Sequence, residues 1–310
     1  MKQLRRANLD NWRRYLDERK LDSKLATEWS GHARTNIRLV PSATLRDDNT
    51  QPGTSKLGGA PDLPIGSRWP TRSAYRYSRE NADHLPEAAW EPQLLTFLAQ
   101  INLSDVAKAG CDLPLPTSGL LLFFYDVETQ PWGFDPLDAP GAQVLYVGAE
   151  TSIQRQVPPQ GGGRVQPIRL VADEGLPGWE WIQDQVCNQP GYSHQAFHAE
   201  LHKLSDQDRD VIYNRGHGFG GWPALIQDPM ELECEMVTSG VYAGNANAYA
   251  DPRLSVFREG AKNWRLLLQL DSDDDFGWSW GDVGRLYFWC RENDIAEGRF
   301  DRAWNILQCT

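Results

Sequence analysis

No run in the 310 residues approaches the roughly 20 consecutive apolar positions that a membrane-crossing helix needs. The Met1 end is charged and precedes no apolar stretch of the kind that directs export, so a cytoplasmic chain is expected, with no membrane partner. Cysteine is scarce: five residues, at 111, 187, 234, 290 and 309, with no CxxC pair. An odd, widely spaced set argues against a zinc site and a disulfide framework, leaving reduced and mostly buried thiols. Phosphate loops of the GxxxxGK[ST] or GxGxxG kind are absent, as are GxSxG and HExxH, so nothing nominates a nucleotide, a cofactor, a triad serine or a zinc-bound water. Basic charge is also in deficit: 31 Lys and Arg face 42 Asp and Glu, a net charge of -11. Residues 1–38 hold ten basic against five acidic side chains, which leaves -16 for the rest. Such a body repels nucleic acid and anionic membranes and attracts basic partners.

The chain has ample material for a core, with 40% hydrophobic residues and 13 Trp, and its 27 Gly and 20 Pro punctuate the apolar runs at strand-length intervals. Leu4 to about Trp29 reads as helix, with Leu9, Trp12 and Leu16 on one stripe that docks on the body. The run LGGAPDLPIGSRWP at 57–70 is a rigid, irregular loop. LLTFLAQINL at 94–103 and SGLLLFFYD at 118–126 are strands of a sheet core. The order then recurs: GGWPALIQ at 220–227 echoes GGAPDLP at 58–64, WRLLLQLDS at 264–272 echoes LLTFLAQIN, and GRLYFWC at 284–290 echoes GLLLFFYD. Gly59 and Gly221, Gln100 and Gln269, and Gly119 and Gly284 lie at nearly constant separations, as a repeated structural unit requires. The expected fold is α+β, predominantly antiparallel β-sheet and internally duplicated, with an N-terminal helical extension and linker over 1–55. The domain over 56–310 is expected to comprise halves at about 56–160 and 215–310, joined by a helical middle segment.

These same segments, together with WP at 69–70, GHGFGGWPALIQ, WGDVGRLYFWC and Phe300, resemble the YwqG-like family of bacterial proteins, a domain of unknown function. The resemblance covers about Lys56 to Cys309; it implies a mixed, mostly β fold, and no catalytic residue or cofactor to carry over. The first 55 residues and the 71–90 insertion lie outside what it explains.

Four candidates could carry chemistry. In DSDDDFGWSWGD, Asp271, Asp273, Asp275 and Asp282 fall at positions 1, 3, 5 and 12 of a calcium loop, with Asp274 among them. Phe276 stands where the loop needs Gly, an Asp replaces the terminal Glu, and the flanks read as strands, so a solvated acidic turn is expected in place of a metal site. Its carboxylates suit Lys or Arg of a partner, with Trp278 and Trp280 as aromatic anchors. His194, His198 and His202 share a helical stripe, but the outer two are roughly 12 Å apart at 1.5 Å per residue and cannot share one ion. His217 in RGHGFGGWP is the one acid or base candidate; its alternative role is to fix a glycine-rich turn. Gln100, Gln227 and Gln269 are amides in apolar contexts that either tie loops to the sheets or, with Trp69 and Trp222, line a pocket for a sugar or peptide.

No complete acid, base and nucleophile set emerges, so an enzyme is not the leading expectation. An acidic body imitates the ligand of a nuclease, which must itself be basic. The expectation is therefore a non-catalytic binding protein, and within that class an immunity protein that inhibits a basic, nuclease-type toxin. A small-ligand binder and a hydrolase using His217 are the alternatives.

Overall fold

Side chains of consecutive strand residues face opposite ways, and Leu120–Tyr125 is apolar throughout because both of its faces are covered. Leu121, Phe123 and Tyr125 enter a central cluster, while Leu120, Leu122 and Phe124 pack on the other side against Leu63, Trp69 and Leu95. In the computed structural model, residues 9–42, 49–77, 85–159, 161, 163–186, 194–205, 208, 212 and 216–310 are described.

Ten strands form one antiparallel sheet. They are β1 (Arg34–Pro41), β2 (Lys56–Gly58), β3 (Thr96–Asn102), β4 (Leu120–Tyr125), β5 (Ala142–Val147), β6 (Val165–Gly175), β7 (Gly218–Phe219), β8 (Trp264–Asp271), β9 (Arg285–Arg291) and β10 (Trp304–Gln308). Their spatial order is β10-β9-β8-β7-β1-β6-β2-β3-β4-β5. The two arms of this order match residue for residue. Gln100 lies opposite Leu122 and Gln269 opposite Tyr287, at equivalent places in β3–β4 and β8–β9. Both ladders shift register at the same point, between Phe97 and Ala99 and between Leu266 and Leu268. Lys56 pairs with Gln100 as Gly218 pairs with Gln269.

The middle of the sheet departs from the sequence reading. β1 falls in the stretch expected to be only extension and linker, yet it pairs with β6 along its whole length and with β7 through Ile37 and Arg38. β6, the first strand of the second arm, pairs with β2 of the first through Gln166 and Pro167. The Leu39 N–H donates to His217 O at 3.2 Å, and the Ile168 N–H donates to Ser55 O at 3.0 Å, so both junctions are bonded alike. Each unit, β1–β5 or β6–β10, thus places its first strand beside the second strand of the other. The two first strands begin at Arg34 and Val165. The short helix α3 (Leu103–Ala109) follows β3, and the middle segment opens as strand before becoming helical in α4 (Trp179–Val186) and α5 (His194–Leu201). Sequence order alone does not reveal this exchange, because neither first strand pairs with its own neighbour in the chain.

The sheet folds over so that the arms pack face to face. Phe123 and Phe288, equivalent residues of β4 and β9, meet edge to face at 5.2 Å in the central cluster. Such a contact adds about 0.5–1.5 kcal/mol beyond the area it buries. Outside the second arm, α6 (Glu231–Thr238) and α7 (Leu254–Ala261) bring Met236, Val237 and Phe257 onto Trp264, Trp289 and Ile306. At the N-terminus, α1 (Leu9–Glu18) and α2 (Ser23–Gly31) bury Trp12, Leu16, Leu25 and Trp29 with Leu176, Ile182 and Phe197. Asp22 caps α2, accepting from the N–H groups of Lys24 and Leu25. The indoles of Trp12 and Trp29 donate to the carbonyls of Glu174 and Pro177, pinning both helices to the end of β6.

Candidate functional site

Two glycine pairs set the geometry of both units. Gly58–Gly59 and Gly220–Gly221 all adopt left-handed backbone, with φ from 62° to 73°, which glycine reaches without steric cost. A Cβ at Gly58 would strike the Arg164 carbonyl, and one at Gly221 would strike the Asn36 amide. The chain that follows each pair is held by the buried glutamine of the neighbouring strand. Gln100 Oε1 accepts from the Asp62 N–H at 2.8 Å, and its Nε2 donates to Thr54 O at 3.0 Å and Asp62 Oδ2 at 2.8 Å. Gln269 Oε1 accepts from the Ala224 N–H at 2.9 Å, and its Nε2 donates to Gly216 O at 2.8 Å. Burial raises the Asp62 carboxyl, but hydrogen bonds from Arg155, Gln100 and Gly53 and the charge of Lys56 outweigh it and hold the group below its ordinary value.

The amides and indoles considered for a pocket are all engaged in hydrogen bonds within the fold. Trp69 is buried and donates to Leu95 O at 2.8 Å. Trp222 is buried and donates to His32 O at 2.7 Å, with the Arg34 guanidinium 3.6 Å from its ring centroid. Gln227 donates to Cys309 O at 2.8 Å, while its own N–H is received by Gln308 Oε1. Trp69 and Gln100 serve the first unit; Trp222, Gln227 and Gln269 serve the second.

The acidic stretch is a small hairpin between β8 and β9. Asp273 and Trp278 form its closing bridge, and the N–H groups of Phe276 and Gly277 donate to Asp273 O and Asp274 O. Gly277, at φ 67°, supplies the left-handed position of this turn. Three of its carboxylates are tied to the body. Asp271 pairs with Arg285 at 2.7 Å, Asp273 with His217 at 3.1 Å, and Asp275 with Arg164 at 2.7 Å. Asp274 and Asp282 are exposed. Trp278 and Trp280 are only 8% and 1% exposed and belong to the central cluster, because the hairpin folds its indoles inward.

His217 sits under this hairpin. Its Nδ1 accepts from the Asp271 backbone N–H at 3.1 Å, and its Nε2 faces Asp273 Oδ2 at 3.1 Å. A backbone N–H can only donate, so Nδ1 carries the lone pair and the neutral ring donates its Nε2 proton to Asp273. Burial lowers the imidazole pKa against the opposing pull of Asp273, and the net shift is below the ordinary value. The ring therefore fixes the glycine-rich turn to the hairpin. His198 and His202 are exposed on and just beyond α5 at the mouth of a cavity of about 260 Å³ lined with Trp29, Trp179 and Leu201. Among the described residues no three His, Cys, Asp or Glu side chains converge to hold a metal ion.

Beside the hairpin lies a hollow of about 150 Å³, bounded by Gly58, Gly59, Thr96, Phe97, Arg164, Phe276 and Trp278 among others. Phe276 and Trp278 stack at 4.4 Å with their planes 17° apart. Arg164 stands over the Phe276 ring at 5.5 Å. Gly58, Thr96 and Phe276 fall within quoted motifs; Arg164 carries no local signal, since only the sheet register brings it here.

The fold and this site define a pseudo-symmetric α+β protein, chiefly antiparallel sheet, whose acidic hairpin borders a small hollow at the junction of its units. The chain belongs to the family described as Domain of unknown function (DUF1963), which matches residues 55–309. That match begins after β1, so the strand at the centre of the sheet lies outside it. No curated protein matches the chain. Among the described residues no helix is long and apolar enough to cross a membrane.

Proposed function

We propose that this chain is a non-catalytic, cytoplasmic protein-binding protein, and that it serves as an immunity protein neutralising a basic, nuclease-type toxin. Within its family we read it as a YwqG-like protein of bacterial origin. The observation that carries this reading is the braced acidic hairpin, whose Asp271, Asp273 and Asp275 are tied to the body while Asp274 and Asp282 face solvent. A preorganised acidic surface on a body of net charge -11 favours fast capture of a basic partner and loses little entropy on docking. A hydrolase using His217 is less well supported: both ring nitrogens are engaged, and no hydroxyl or thiol is bonded to the ring among the described residues. A sugar or peptide site built on Trp69, Gln100, Trp222, Gln227 and Gln269 is likewise less supported, since the polar groups of these side chains are already bonded within the fold. The test is co-expression with the product of the adjacent gene. The reading expects that product to be a basic, growth-arresting protein and this chain to restore growth without modifying it. Failure to restore growth, or turnover of the toxin, sinks it.

A further inference from the structure

Three arginines, Arg164, Arg265 and Arg285, bury an Nε that meets no acceptor among the described residues. In two of them the terminal nitrogens are satisfied from within the chain. Arg265 has Asp112 at 3.0 Å and Glu292 at 3.2 Å, and Arg285 has Asp271 at 2.7 Å and the Ala224 carbonyl. Among the described residues Arg164 has one carboxylate, Asp275, at 2.7 Å from Nη1, and that side chain is 66% exposed. A guanidinium carries five N–H donors, so Arg164 keeps the most unused capacity of the three. It also forms a wall of the hollow beside the hairpin, which no acidic side chain among the described residues lines. The equivalent place in the second unit is closed. Gly220 corresponds to Gly58 through the pairings of Gly218 with Gln269 and Lys56 with Gln100, and Cys111 and Leu113 cover it.

We infer that the hollow is a binding site for a free, small monocarboxylic acid, with Arg164 as its anchor. Asp275 engages Nη1, which leaves Nε and Nη2, the edge of a guanidinium that takes the two oxygens of a carboxylate in parallel. Arg164 lies over the Phe276 ring, itself stacked on Trp278, so the guanidinium is held in place before a ligand arrives. Thr96 adds a hydroxyl to the lining, and Phe97 and Pro158 add apolar surface for a short stem. The hollow of about 150 Å³ has the size of a cavity that takes benzene, a molecule of about six heavy atoms, and a four-carbon acid is as large. One guanidinium shared with Asp275 balances a single negative charge, which selects a monoanion over phosphate or a dicarboxylate. The acidic hairpin alongside repels an acidic protein surface more strongly than a small acid of one charge. The inference goes beyond the proposed function, and its test makes no use of a toxin.

Butyrate is the probe, with butyramide and butylamine as neutral and cationic controls of similar length and inorganic phosphate as the dianion. Titrated into the full chain and followed by the backbone amide shifts of Gly58, Gly59 and Thr96, butyrate should saturate at millimolar concentration. Butyramide should bind at least about tenfold more weakly, the factor that loss of a charge-assisted pair implies. Butylamine and phosphate should not saturate. Arg164→Lys keeps the charge but removes the flat fork, and should weaken butyrate at least about fivefold. Thr96→Leu should fill the hollow and abolish saturation, and it carries the test if the Arg164 variant does not fold. N-acetylglutamate methylamide separates a free acid from an acidic side chain: it should bind more weakly than butyrate, and tighter binding overturns the free-acid assignment. No saturable shift in the wild type, equal affinity for butyramide, or undiminished binding by either folded variant overturns the site.

Discussion

Replacing Gln269 by Met keeps the unbranched shape of a fully buried side chain and removes its amide. Two backbone groups then lose their partners: the buried Ala224 N–H, now received by Gln269 Oε1 at 2.9 Å, and the partly buried Gly216 carbonyl, now bonded at 2.8 Å. Leaving a buried polar group unsatisfied costs about 1–3 kcal/mol. Ala224 should sit toward the upper part of that range and Gly216 toward the lower, for a loss of about 2–4 kcal/mol. Against a domain stability of about 5–15 kcal/mol this is a large fraction. Ala224 O also accepts from Tyr287 at 2.6 Å and from Arg285, so release of the Gly220–Gln227 loop should propagate to the Asp271–Arg285 pair under the hairpin. Urea unfolding is the assay, with the midpoint falling and the slope unchanged. A loss under about 0.5 kcal/mol would refute the claim that this amide clamps the glycine loop to the sheet.

Three further outcomes follow from the same geometry. His217 has a lowered folded pKa, so the unfolded chain binds the extra proton first: stability should be flat above about pH 6.5 and fall as pH drops below it. His217→Gln should flatten that part of the pH profile, and an unchanged slope would contradict the assignment. Cys234 is buried with its thiol raised well above the ordinary value, and burial pushes the Cys290 thiol up to about 12. Both should resist a thiol reagent at pH 8 until the protein unfolds; rapid labelling in the native state would contradict their burial. A chain beginning at residue 55, where the family match starts, lacks β1 and exposes the bonding edges of both β6 and β7. It should give no cooperative unfolding transition, and a cooperative transition matching that of the full chain would show β1 to be dispensable.

The strand pairs were legible because β3, β4, β8 and β9 are buried on both faces and therefore read as largely apolar runs. The correspondence of Gln100 with Gln269 was legible because each interrupts such a run at the same place. β1 was not: Arg34–Pro41 opens with three polar residues and mixes charge with a few apolar positions like many solvent-facing segments, and its partners lie more than a hundred residues away. The burial of Trp278 and Trp280 was not legible for a related reason. A polar, glycine-containing sequence suggests an exposed loop, but the hairpin closes at Asp273 and Trp278 and turns its indoles into the core. The hollow was invisible because its walls come from separate stretches, at 58–59, 96–97, 158–164 and 276–278, that only the folded sheet brings together.

The most direct test of the account is the association rate of the full chain with the adjacent gene's product, measured at low and moderate salt for the wild type and for Asp274→Asn/Asp282→Asn. Steered capture by an acidic surface predicts an association rate that falls as salt rises, and a variant that associates more slowly with a shallower salt dependence. Folding should be unaffected, since both carboxylates are exposed. Absence of saturable binding by the wild type, or equal rates for both proteins at every salt concentration, would contradict it.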